Sequence, residues 1–152
     1  LPILGVSTVA AVIVVVVLLV ARRWWVALTL GILAAFAPWL TDVIKDYVER
    51  PRPEWAVPIA TPPDPWSFPS GHATGGIAVW LAIGVALASL LTSDTAKAWF
   101  VLPWAVLGFA IGVSRVVLGL HWPSDVLAGW CVAAAVAGVA AALFVIPRDG
   151  GA

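Results

Sequence analysis

Hydrophobic and polar positions fall in long blocks along this chain rather than alternating residue by residue. Five apolar stretches stand out: Ile3–Val20, Trp24–Leu40, Ala73–Leu91, Trp99–Val113 and Val126–Ile146. The first is rich in valine, which in water would favour a strand. In lipid the backbone must satisfy its own hydrogen bonds, so a helix is the only local solution. At about 1.5 Å per residue, the longer stretches reach about 27–32 Å as helices, enough to cross the hydrocarbon core. Ile3–Val20 does not read as a secretion signal, because no basic segment precedes it and Arg22-Arg23 follow it.

The connections differ in character. A tight turn around Arg22-Arg23 joins the first two spans, and Thr92 to Lys97 joins the third and fourth. The second connection, from Thr41 to Ser70, is long and dense in proline, which makes it irregular and stiff. Ser114 to Asp125 joins the last two spans. Helices that alternate sides put the second and fourth connections on one face. Three polar islands therefore share that face: Lys45 to Pro53, Phe68 to His72, and Ser114 to Asp125.

Composition agrees. Hydrophobic residues make up 62% and charged residues 11%, against about 25% charged in a soluble domain. The expected fold class is an all-α, polytopic transmembrane bundle forming one domain over residues 1–152. The formal net charge is zero, so nothing points to nucleic acid. Cys131 lies inside an apolar run and reads as a small buried residue. Trp24, Trp25, Trp39, Trp99 and Trp122 lie near span ends, as interfacial anchors do, while Trp80, Trp104 and Trp130 read as packing residues. The glycine pairs four apart, such as Gly108 and Gly112, read as close helix packing.

Lysine and arginine do not decide the orientation by number. Arg22, Arg23, Lys97 and Arg148 lie on one face; Lys45, Arg50, Arg52 and Arg115 lie on the other. Three or more of the second set have a site to explain them, and the first set has none. The first set therefore goes to the cytoplasm, and the polar islands to the outer face.

The islands carry candidate chemistry, and ionisable groups in so apolar a chain need a reason. The chain has two histidines. If the last helix starts near His121, Asp125 lies one turn on and can accept the His121 Nδ1 proton. Nε2 is then left as a nucleophile. The plainer reading is a helix-capping histidine with an incidental aspartate. Ser70 can cap the third helix, Gly71 lets backbone approach a ligand, and the free N–H groups there suit an anion. His72 stands where it can pass a proton to a leaving oxygen, or it is part of an ordinary cap. Lys45, Arg52 and Arg115 match phosphate oxygens, with lipid headgroups as the alternative partner. Arg50 is left to headgroup contact.

Together, Lys45-x6-Arg52-Pro53, Pro69-Ser70-Gly71-His72 and Ser114-Arg115-x5-His121-x3-Asp125 resemble the three-part signature of the type 2 phosphatidic-acid phosphatase superfamily, without a substitution. The resemblance covers Lys45 to Asp125 and extends to the flanking spans. It implies a membrane lipid phosphatase, similar to undecaprenyl-diphosphate phosphatases, that needs no metal or other cofactor. It implies that His121 forms a phosphohistidine, that Asp125 orients it, and that His72 protonates the leaving group and then activates water. Lys45, Arg52, Ser70, Gly71 and Arg115 would cradle the phosphate, with Ser114 in support. Family members typically have one helix more than the five visible here. With no methionine in the chain, the expectation is that an N-terminal helix is missing.

The expected substrate is a lipid phosphate or a polyprenyl diphosphate, drawn from membrane lipid at the outer face of a bacterial plasma membrane. Which lipid it is, and the oligomeric state, are not legible. The segment from Trp55 to Phe68 reads equally as a lid over the site or as a rigid spacer. Two rival functions remain at this point: vanadate-dependent haloperoxidase-like oxidation, and a small anion or lipid transporter without hydrolase activity.

Overall fold

The computed structural model describes residues 2–54 and 64–145. Among these, every regular element is a helix, apart from one isolated antiparallel bridge between Pro51 and Trp66. The helices are α1 (Pro2–Val20), α2 (Trp24–Val48), α3 (Gly71–Ala88), α4 (Asp94–Val117) and α5 (Pro123–Val145). A helix covers each of the five expected apolar stretches. Trp55 and Ile59, in the proline-rich segment, lie outside the described residues.

Two boundaries shift in a way that matters. The apolar run of α2 ends at Leu40, but the helix continues to Val48, so Lys45 sits in its last turn. A polar face is no obstacle to a helix once the chain leaves the bilayer. The helix stops where Glu49 turns left-handed, at φ 49°, two residues before Pro51. In the same way α4 runs on to Val117, which places Ser114 and Arg115 on the helix rather than in the connection. At the other end of the bundle, Arg22 adopts φ 57°. The Arg22 and Arg23 amides donate to Leu19 and Leu18, closing α1 with a tight left-handed cap.

Helix α3 is the axis of the bundle and packs against the other four. It is 56% buried, against 11% for α4. One part of the core joins α1, α2 and α3 through Leu18, Leu30 and Ile83. A second joins α2, α3 and α5 through Leu33, Ala78 and Val136. The middle of α3, Gly76–Leu81, is wound as a π-helix, which the sequence pattern does not foretell. Gly108 of α4 lies against this stretch, where a Cβ would meet the Gly76 carbonyl oxygen at 2.6 Å. That contact accounts for Gly108 by packing alone, as expected. Trp80 stacks on Trp104, and Trp130 on Phe109, also as expected of packing residues.

The outer surface is apolar. Val12, Ile13, Phe36, Leu102, Val106 and Val139 are all exposed, and four of the helices are long and apolar enough to cross a membrane. This is the surface of an integral membrane protein, whose solvent is lipid. Cys131 is exposed on α5 and not buried as expected. Helix α5 is apolar on every side, so hydropathy does not say which face meets its neighbours.

Candidate active site

The three polar islands meet at one end of the bundle: bonds across 68 to 75 residues of chain tie the first to the third, and the Ser70 amide ties the second to Asp125. Three local devices bring them there. Ser70 caps α3, accepting from the Ala73 amide, while its own amide donates to the Asp125 carbonyl oxygen at 3.0 Å. At the end of α4, Gly119 takes φ 68°. The Gly119 and Leu120 amides then donate to Val116 and Arg115, a cap that needs a left-handed residue. This turn sends His121 back over the site. Finally, Gly129 allows α5 to close on α3: a Cβ there would stand 2.7 Å from the Ser70 carbonyl oxygen.

His121 precedes α5 and is not part of it, since Pro123 opens the helix. Its buried ring is held at both nitrogens. Nδ1 lies 2.8 Å from the Ser67 carbonyl oxygen. A carbonyl can only accept, so Nδ1 carries the proton. Nε2 then accepts from Arg52 Nη1 at 3.2 Å. Burial, then the Arg52 charge, push the His121 pKa down to about 3, against the opposing effect of the Ser67 bond. The ring is therefore neutral at ordinary pH, with the unprotonated lone pair of Nε2 directed at Arg52.

Asp125 does not make the expected hydrogen bond. Its Oδ2 is 3.6 Å from His121 Nδ1, beyond hydrogen-bond range. That oxygen instead accepts from the Trp122 amide at 2.9 Å, the reciprocal half of a capping box. Oδ1 accepts from Arg50 Nη1, also at 2.9 Å. The expected pairing assumed that His121 and Asp125 share a helix face. With the helix starting at Pro123, the carboxylate turns back onto the helix end, and the nearby Ser67 carbonyl takes the imidazole proton.

Arg50 is not left to headgroups. Besides Asp125, it donates to Ser124 Oγ at 2.7 Å and lies over the Trp122 ring, 5.1 Å from its centroid. Trp122 Nε1 donates to the Pro51 carbonyl oxygen, so Trp122 belongs to the site as well as to the span end.

The cations are placed as follows. Lys45 forms an ion pair with Asp64. Arg52 donates from Nε to the Asp64 carbonyl oxygen and from Nη1 to the Leu120 carbonyl oxygen. Burial lowers the Arg52 pKa, while Asp64 and Asp125 act to raise it. For Asp64, burial acts to raise the carboxyl pKa, but bonds from Lys45 and the Trp66 amide outweigh it and leave it below the usual range. Arg115 donates to Ser114 Oγ at 3.1 Å. His72, in the first turn of α3, lies in the field of Arg115, Lys45 and Arg52. Gly71 has room: a Cβ would meet Thr41 Cγ2 at 3.7 Å, an ordinary contact. Nothing in the protein itself demands glycine there.

Sequence reasoning missed Arg50, Asp64, Ser67, Ser124 and Gly129. Asp64 was within reach of the argument used for the cations, because a carboxylate in so apolar a chain also needs a partner. The Ser67 carbonyl was not, since every residue has one. Among the described residues, no group of three or more His, Cys, Asp or Glu side chains stands together as a metal-ligand set.

A model of the PAP2 superfamily matches residues 24–147. The chain belongs to the PAP2 superfamily. As a PAP2 protein it is 32% identical over 108 residues to phosphatidylglycerophosphatase B of Bacillus subtilis, a match covering 70% of this chain and 52% of that protein. It is 31% identical over 109 residues to an undecaprenyl-diphosphatase of Sulfolobus acidocaldarius, covering 69% of this chain and 48% of that one. The chain thus spans about half the length of these curated relatives. Its fold is that of a transmembrane PAP2 phosphatidylglycerolphosphate phosphatase from Bacillus subtilis, with a TM-score of 0.81 over 97% of this chain and 77% of the other, at 24% identity.

Proposed function

We propose that this PAP2 protein is a lipid phosphatase that hydrolyses a lipid phosphate monoester or diphosphate through a phosphohistidine, without a metal. The observation that carries the reading is the His121 ring, whose tautomer is set by the Ser67 carbonyl and whose Nε2 faces the Arg52 guanidinium. A neutral imidazole with a directed lone pair beside a fixed cation suits in-line attack on phosphorus.

His121 Nε2 attacks, and the bond to the leaving oxygen breaks. Nδ1 keeps its proton, so the ring of the intermediate is cationic. The Ser67 carbonyl and the nearby Asp125 carboxylate favour that charge. His72 protonates the leaving oxygen and then takes a proton from the water that cleaves the phosphohistidine. Arg52 turns from Nε2 to the phosphate oxygens. Lys45, Arg115 and the Ser70–Gly71 amides complete the cradle, and the open space at Gly71 suits a close approach of the ligand.

Residues 1–152 act as one domain, with the site at the outer face of a bacterial plasma membrane. The names of the relatives favour a phosphatidylglycerol phosphate or a polyprenyl diphosphate as substrate.

The test is phosphate release in detergent from a panel of lipid phosphates and diphosphates, with and without chelator. Wild type should release phosphate in both conditions. His121→Ala should lose about 10³-fold or more. Wild-type turnover in that variant would overturn the nucleophile, and loss on chelation restored by a divalent ion would overturn the metal-free reading.

A further inference from the structure

Both groups that approach His121 Nδ1 lead back to one residue. The nearer, the Ser67 carbonyl, belongs to a residue whose amide and hydroxyl both donate to the Arg50 carbonyl oxygen, at 2.7 and 3.1 Å. The farther, the Asp125 carboxylate, is fully buried and accepts from the Arg50 side chain at 2.9 Å. Arg50 itself is anchored by Ser124 Oγ and by the face of Trp122. It touches neither nitrogen of His121.

We propose that Arg50 is a positioning residue. Its backbone sets the Ser67 carbonyl against His121 Nδ1, and its guanidinium holds the Asp125 carboxylate off the imidazole, which keeps His121 neutral with Nε2 unprotonated. This deepens the phosphatase reading and rests on His121 being the nucleophile. The physical reason is competition. A buried carboxylate needs a cation or a donor, and an imidazole beside it will take a proton to supply one. With Arg50 on Oδ1 and the Trp122 amide on Oδ2, Asp125 makes no such demand on His121. The other charged or titratable groups facing His121 are Arg52, Lys45 and His72. All three oppose protonation when charged, whereas release of the Asp125 carboxylate from Arg50 would favour it.

Because the chain has two histidines, a His72→Gln background leaves His121 as its sole imidazole. Its titration can then be read by NMR of the labelled ring in detergent, with no substrate present. Arg50→Gln should move the His121 titration upward by about one pH unit or more. Arg50→Lys, which keeps a charge but loses the planar guanidinium that lies over Trp122, should move it less, in the same direction. With His72 restored, the acid limb of the kcat/KM profile should move upward in the same order. An unmoved or downward-shifted His121 titration in whichever variant folds overturns the proposal, even if activity falls, because loss without a shift is a purely structural effect. Should wild type release phosphate from no lipid phosphate, the phosphatase reading fails while the titration still decides the role of Arg50.

Discussion

His121 Nδ1 is 2.8 Å from the Ser67 carbonyl oxygen and 3.6 Å from the Asp125 carboxylate. The proton on this imidazole is thus held by backbone, and the carboxylate stands by as a nearby charge. That ordering makes the two partners separable by experiment.

Asp125→Asn should be a partial lesion. Asparagine can still accept from the Trp122 amide, and the Ser67 bond to Nδ1 is untouched. The expected loss in kcat is smaller than the roughly 10⁴-fold seen where an aspartate itself holds the histidine. Phosphate-release kinetics on the purified variant check this. A loss as large as that of His121→Ala would place Asp125 on Nδ1 during turnover.

Asp64→Asn should tighten the binding of free phosphate. The Asp64 carboxylate is paired with Lys45, so an anion that seeks this cation competes with a resident negative charge. Removing that charge should lower the inhibition constant of inorganic phosphate by about fivefold, the scale of one charge at about 4 Å in a high-dielectric site. Product-inhibition assays read the change, and weaker binding in the variant would show that Asp64 supports the cradle.

Histidine 121 makes stability depend on pH. Its pKa is lowered from 6.5 to about 3. Between those values the unfolded chain binds the proton and the folded one does not, so stability rises with pH from about 3 to about 6.5. Thermal unfolding in detergent between pH 4 and 7 should show the midpoint climbing. In His121→Gln the climb should be shallower. If His121 is the nucleophile, as proposed, the same depression puts the acid limb of kcat/KM below the ordinary imidazole range, and a limb near 6.5 would contradict it.

Two glycines of the site should respond oppositely. Gly71→Ala meets only an ordinary contact at 3.7 Å and should unfold at the wild-type temperature, with activity lost to the added methyl. Gly129→Ala forces a Cβ against the Ser70 carbonyl oxygen at 2.7 Å and Thr74 Oγ1 at 3.0 Å. It should destabilise by about 1–3 kcal/mol. Differential scanning on both variants, beside their turnover, separates the roles.

What could be read along the chain was whatever depends on local hydropathy and spacing. Five apolar blocks determined five helices, because lipid leaves the backbone no other local solution. Their alternation put Lys45, Arg52, Ser70, Gly71, His72, Arg115, His121 and Asp125 at one end of the bundle. Tertiary structure alone decided who pairs with whom. Hydropathy does not mark where α2 and α4 end once they leave the apolar run, and it does not wind the middle of α3 into a π-helix. The choice of Ser67 over Asp125 for His121, of Asp64 for Lys45, and of Arg50 for Asp125 rests on bonds closed between segments 19 to 75 residues apart. Such bonds form only when the proline-rich connection and the turn after α4 meet, and no local pattern records that meeting.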